Sequence, residues 1–104
     1  MATTDAATIR HCVMFTWNDD VSPDQVAAIA AGLDGLARLE GVVSYRHGPD
    51  LGLRDGNWDY VVVGDFASDE AYASYASDPG HLDLISSIIA PAINTRAAVQ
   101  YRLS

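Results

Sequence analysis

The sequence predicts an α+β fold in which helices cover one face of a four-stranded antiparallel sheet. Three observations carry this: segments rich in strand formers, capped segments with apolar residues at helical spacing, and their order, β-α-β-β-α-β. That order is the ferredoxin-like arrangement.

The first strand is Ile9 to Trp17, IRHCVMFTW, which ends at the polar turn Asn18-Asp19-Asp20. His11, Val13, Phe15 and Trp17 share one parity, and Arg10, Cys12, Met14 and Thr16 share the other. Both sets are largely apolar, so this reads as a central strand covered on both sides. Ser22-Pro23-Asp24-Gln25 is a helix start, with a serine cap, proline at the first helical position and Gln25 closing a capping box. Val26, Ile29, Ala30, Leu33, Leu36 and Ala37 continue it as an amphipathic helix to about Leu39, and Gly41 stops it.

Val42 to His47 is a short second strand, followed by a loop from Gly48 to Asn57. Trp58 to Phe66, WDYVVVGDF, is the third strand, with Trp58 and Tyr60 on one face. Ser68 caps a second helix whose first turn carries Asp69 and Glu70, where the helix dipole favours acids. Asp78-Pro79-Gly80 breaks that helix, His81 opens a further helical stretch to about Ile89, and Thr95 to Leu103 alternates as the last strand.

Two main helices cannot hide both apolar faces of such a sheet. An uncovered apolar face of that size marks an interface, so the expectation is a homodimer formed through sheet faces.

At 104 residues the chain is the size of one domain, expected over 9–104 behind a loose tail over 1–8. The formal charge is −8, from fourteen acids against six arginines and no lysine, which opposes nucleic acid and anionic membrane surfaces alike. No stretch approaches the ~20 apolar residues of a membrane span, and the first residues lack a signal-peptide pattern, so a cytoplasmic protein is expected. Cys12 stands alone, which excludes an internal disulfide.

Three segments, IRHCVMF, WDYVVVGDF and AYASYASDPGH, together resemble the Dabb family of stress-responsive A/B barrel domains across about Ile9 to Leu103. The resemblance implies a dimeric α+β barrel. It also implies one of two roles: a stress-linked protein without assigned chemistry, or a polyketide cyclase. Cyclases of this kind close a ring in a poly-β-keto thioester by aldol condensation, without metal or organic cofactor. Their functional groups lie on the first strand and flank the helix break, which carries over to His11, Tyr75 and His81. One departure stands out: where members often carry His-Pro-x-His at the break, this chain reads Asp78-Pro79-Gly80-His81, so any role of the first histidine is lost or changed.

The residue types suit that chemistry. A histidine titrates near working pH and serves as a base, and a tyrosine hydroxyl donates to a developing oxyanion. His81 is the expected base, Tyr75 the donor, and His11 an orienting or polarising partner. Val13, Phe15, Tyr60 and Tyr72 are the expected pocket for a small apolar carbonyl-type ligand. Tyr45, Trp17 and Trp58 join the aromatic set as pocket or core. His47, before a Gly-Pro turn, is expected at the surface. No His-x-His or His-x3-His spacing marks a metal site, Ser86 and Ser87 lack a nucleophile context, and Gly48, Gly52 and Gly56 are spaced for a flexible loop rather than a phosphate cradle. The competing readings are a non-catalytic ligand-binding or stress-responsive dimer, an accessory subunit, and a cofactor-free oxygenase on the same architecture.

Overall fold

The computed structural model describes residues 6–103. The elements are β1 (Ile9–Trp17), α1 (Pro23–Leu36), β2 (Val42–Pro49), β3 (Tyr60–Phe66), α2 (Asp69–Ser77), α3 (Pro79–Leu84) and β4 (Ile93–Arg102). A π-helical turn, Ile85–Ile89, and a single 3-10 turn, Ala90–Ala92, join α3 to β4. The sheet order is β2-β3-β1-β4 with every neighbouring pair antiparallel, so the chain is a ferredoxin-like α+β domain.

The capping box at α1 is present, with Gln25 N donating to Ser22 Oγ at 3.1 Å and Ser22 N to Gln25 Oε1 at 2.9 Å. Regular helix ends at Leu36 rather than Leu39, because Arg38 N and Leu39 N bond three residues back and tighten the last turn. Gly41 adopts φ +85°, and a Cβ there would stand 2.5 Å from Ala71 Cβ, so both the turn and the close approach to α2 require glycine.

The strand limits move slightly from expectation. β3 starts at Tyr60 rather than Trp58, because the Asp59 carboxylate accepts from Trp17 N at 2.8 Å in place of a ladder carbonyl. β2 runs on to Pro49, and β4 spans Ile93 to Arg102, with an irregularity beside Thr16 that pairs Trp17 with Ile93. Positions 1–5 of the expected tail lie outside the described residues. Thr8 is tied to the sheet: its N donates to Phe66 O at 2.9 Å, and its carbonyl accepts from Leu103 N at 2.9 Å.

The two faces of β1 divide cleanly. Ile9, His11, Val13 and Phe15 are buried beneath the helices, where Ile29, Leu33 and Leu36 of α1 meet Val62 and Phe66 of β3. The other parity lies on the open face, where Cys12 pairs with Val63 and Val99, and Met14 with Val61 and Ala97. Met14, Val61 and Val99 are 44, 38 and 58% exposed in the single chain, an apolar row without cover from its own helices. Arg10 and Asp65 close one end of that face with paired hydrogen bonds of 2.8 and 2.9 Å. Among the described residues no helix is long and apolar enough to cross a membrane.

Candidate active site

The helix break builds the site. Proline disfavours helical backbone at the residue before it, and Asp78 takes ψ 130°, ending α2 one turn after Tyr75. The Asp78 carboxylate then accepts from His81 N at 3.0 Å and caps α3. Asp78 is therefore the fastening of His81.

So held, the His81 ring stacks on Tyr75, with centroids 4.3 Å apart and planes 30° from parallel. His81 Nδ1 donates to Ala76 O at 3.3 Å, which leaves Nε2 as the unprotonated nitrogen. Burial lowers the His81 pKa, against raising contributions from the Ala76 carbonyl and Asp78. The ring is a neutral base at ordinary pH.

Tyr75 and Tyr45 join hydroxyl to hydroxyl at 2.7 Å, one from α2 and one from β2. Burial raises the pKa of both, so each keeps its proton. One hydroxyl donates to the other, and the second proton is free for an oxygen in the cavity. Gly64 makes this possible: a Cβ at that position would meet Tyr45 Cδ1 at 2.9 Å and Phe66 Cε2 at 3.1 Å.

His11 pairs with Gly64 on one side and Gln100 on the other. The Gln100 side-chain nitrogen donates to His11 Nδ1 at 2.8 Å, which places the ring proton on Nε2. The His11 ring lies 5.8 Å from Tyr75 and is 3% exposed. Burial, then the charge of Arg96 and then His81, lower its pKa to about 4. It is a neutral hydrogen-bond donor beside a neutral base.

His11, Tyr45, Tyr75 and His81 all line one cavity of about 70 Å³ between the sheet and the helices. Val13, Phe15, Leu33 and Val62 supply apolar walls, and Ile85 and Ile89 of the π-helical turn close it from above. π-helical turns recur at functional sites. Arg96 completes the lining from β4.

Of the residues singled out in the sequence, His11, Tyr75, His81, Val13 and Phe15 meet at this cavity, whereas Tyr60 and Tyr72 stand outside its lining. Tyr60 pairs with Phe15, four residues from the His11 pair along β1, and turns its hydroxyl to His47 Nδ1 at 2.6 Å. Tyr72 lies one turn before Tyr75 and packs behind His11, with rings 5.2 Å apart. His47 is not a surface residue: its side chain is 11% exposed, held between Tyr60 and Asp34, whose carboxylate accepts from Nε2 at 2.6 Å. The sequence alone does not single out Gly64, Gln100 or Arg96 as site residues. Strand parity offered the one available signal, since it puts Arg96 and Gln100 on one face of the last strand. Among the described residues no three His, Cys, Asp or Glu side chains gather as a metal site.

Fold and cavity define a ferredoxin-like α+β domain with a histidine–tyrosine chamber under its helices. The sequence profile of the stress responsive A/B barrel domain, Dabb, matches residues 9–103. The chain belongs to that family. It is 25% identical over 101 residues to a stress-response A/B barrel domain-containing protein of Arabidopsis thaliana, a match that covers 96% of this chain and 38% of that longer relative. A dimeric ferredoxin-like protein of unknown function from Thermobifida fusca is 38% identical, with 97% of this chain and 95% of that one covered and a TM-score of 0.87. The hydroxynitrile lyase of Passiflora edulis shares the fold at 19% identity, with 94% of each chain covered and a TM-score of 0.82.

Proposed function

We propose that the chain is a cofactor-independent enzyme of carbonyl chemistry, with aldol ring closure of a poly-β-keto substrate as its reaction. The single observation that carries this reading is the junction of three groups on one chamber: the free Nε2 of His81, the shared hydroxyls of Tyr75 and Tyr45, and the Nε2–H of His11.

In the proposed step His81 Nε2 takes a proton from a carbon flanked by carbonyls. The C–H electron pair moves into the carbonyl, and the enolate oxygen is held by the tyrosine proton and by His11. The enolate carbon then attacks a second carbonyl of the same chain, and the new alkoxide recovers the proton from His81. A water occupies about 10–15 Å³ by the same kind of measure. About 70 Å³ therefore admits the reacting end of a keto chain, with the remainder outside. A neutral base suits this work, and an apolar wall strengthens the hydrogen bonds to the developing charge.

We propose further that the working unit is a homodimer packed through the open sheet faces. The uncovered apolar row of Met14, Val61 and Val99 supports this, as does the dimeric relative from Thermobifida fusca.

The test of the chemistry is deuterium exchange at the carbons beside a ketone, followed by proton NMR with methyl levulinate as probe. The expected result is exchange above the buffer rate that falls about a hundredfold in His81→Ala, the usual scale for losing a general base. Exchange at the buffer rate in the unaltered protein, or full exchange in His81→Ala, would overturn the reading.

A further inference from the structure

Arg96 is the one side chain of permanent charge on the chamber, whose lining is otherwise apolar or neutral. It lies directly opposite Phe15 in the β1–β4 pairing, and opposed residues share a face. Phe15 is buried beneath the helices, so Arg96 stands on the helix side of the sheet, at an edge strand, with its side chain exposed. Three ion pairs occur among the described residues, and they use Arg10, His47 and Arg102. Arg96 has no ion pair or side-chain hydrogen bond among the described residues.

A guanidinium at the rim of an apolar chamber has a use: its planar fork matches a carboxylate. The chain as a whole carries −8, which repels anions. A lone cation at this chamber reverses that sign locally.

We propose that the chamber takes an anionic carbonyl compound, an oxo acid whose carboxylate pairs with Arg96 while its ketone reaches the His81–Tyr75 end. This rests on the acid–base reading of the chamber and adds the class of substrate to it. The same guanidinium charge reaches the site groups, where it favours neutral His11 and neutral His81 and lowers the Tyr75 pKa against the larger effect of burial. A carboxylate that neutralised Arg96 would relax that influence on binding.

The experiment is a binding titration of the full chain with pyruvate, acetoacetate and levulinate, each against its methyl ester, read from the imidazole signals of His11 and His81 by NMR. The carbonyl-to-carboxylate distance grows along that series, so the best-fitting length is found rather than assumed. The expected result is that at least one acid binds about tenfold or more tightly than its ester, or about 1.4 kcal/mol. Arg96→Gln should bring acid and ester to parity, and Arg96→Lys should keep part of the preference, because its charge remains without the fork. Esters that bind as well as acids throughout, an acid preference that survives Arg96→Gln, or no saturable binding of any acid would each overturn the proposal. Exchange of methyl levulinate reports the chemistry separately. Active exchange with no Arg96-dependent acid binding sinks the anion site alone, and the converse sinks the enzyme reading alone.

Discussion

The hydroxyls of Tyr45 and Tyr75 stand 2.7 Å apart, in a hydrogen bond that ties β2 to α2 across the cavity. That bond counters part of the upward push that burial gives the Tyr75 pKa. Tyr45→Phe should therefore raise the Tyr75 pKa further and slow turnover by about tenfold, while removing about 1 kcal/mol of stability. Urea denaturation and the exchange assay measure the two effects, and unchanged exchange would remove Tyr45 from the site.

Gly64 is the other support of the same ring. Gly64→Ala forces its new methyl group against Tyr45 and should cost roughly 1–3 kcal/mol, with loss of turnover resembling that of Tyr45→Phe. Because both changes act on one phenol, the double variant should turn over no more slowly than the worse single one. Additive losses would show that Gly64 acts elsewhere.

His11 gives the stability a pH dependence with a definite sign. Its folded pKa of about 4 lies below the ordinary 6.5, so the unfolded chain binds the proton first as the pH falls. The stability held above pH 6.5 should drain between 6.5 and about 4, by roughly 3 kcal/mol. The lowered pKa of His81 acts in the same direction. Asp65 and Asp69, held low by Arg10 and Arg102, act below their ordinary 3.8, outside this window. Denaturation midpoints at pH 7 and 4.5, in the unaltered chain and in His11→Gln, are the check, and an equal pH slope in both would exclude His11 as the source.

The open face predicts a contrast between two valines. Val99→Glu, on the exposed row, should yield a folded monomer by sedimentation. Val62→Asp, 2% exposed in the core, should unfold the chain at a cost of several kcal/mol. A stable dimer in Val99→Glu would place the interface elsewhere.

The fold was legible because strand parity, the Ser22 capping box and the Asp78-Pro79 break are local signals written in adjacent residues. His11, Tyr75 and His81 came from family resemblance, and the geometry brings all three to one cavity. The rest depends on pairings distant in sequence. That Gly64 clears space for Tyr45, that Gln100 fixes the His11 proton, and that Asp34 and Tyr60 enclose His47 all follow from sheet register and helix docking. Neither is encoded in any short window. The π-helical turn at Ile85 likewise has no composition that separates it from an ordinary helix.

β1 has no idle side. Its odd residues furnish the chamber, and its even residues furnish the bare apolar surface one pleat away. A slip of one residue along its neighbours would deliver Arg10 and Cys12 into the cavity and expel His11 and Val13 from it, so that register cannot build the chamber. Because the same ribbon serves both surfaces, anything that steadies its outer side also steadies the histidine within.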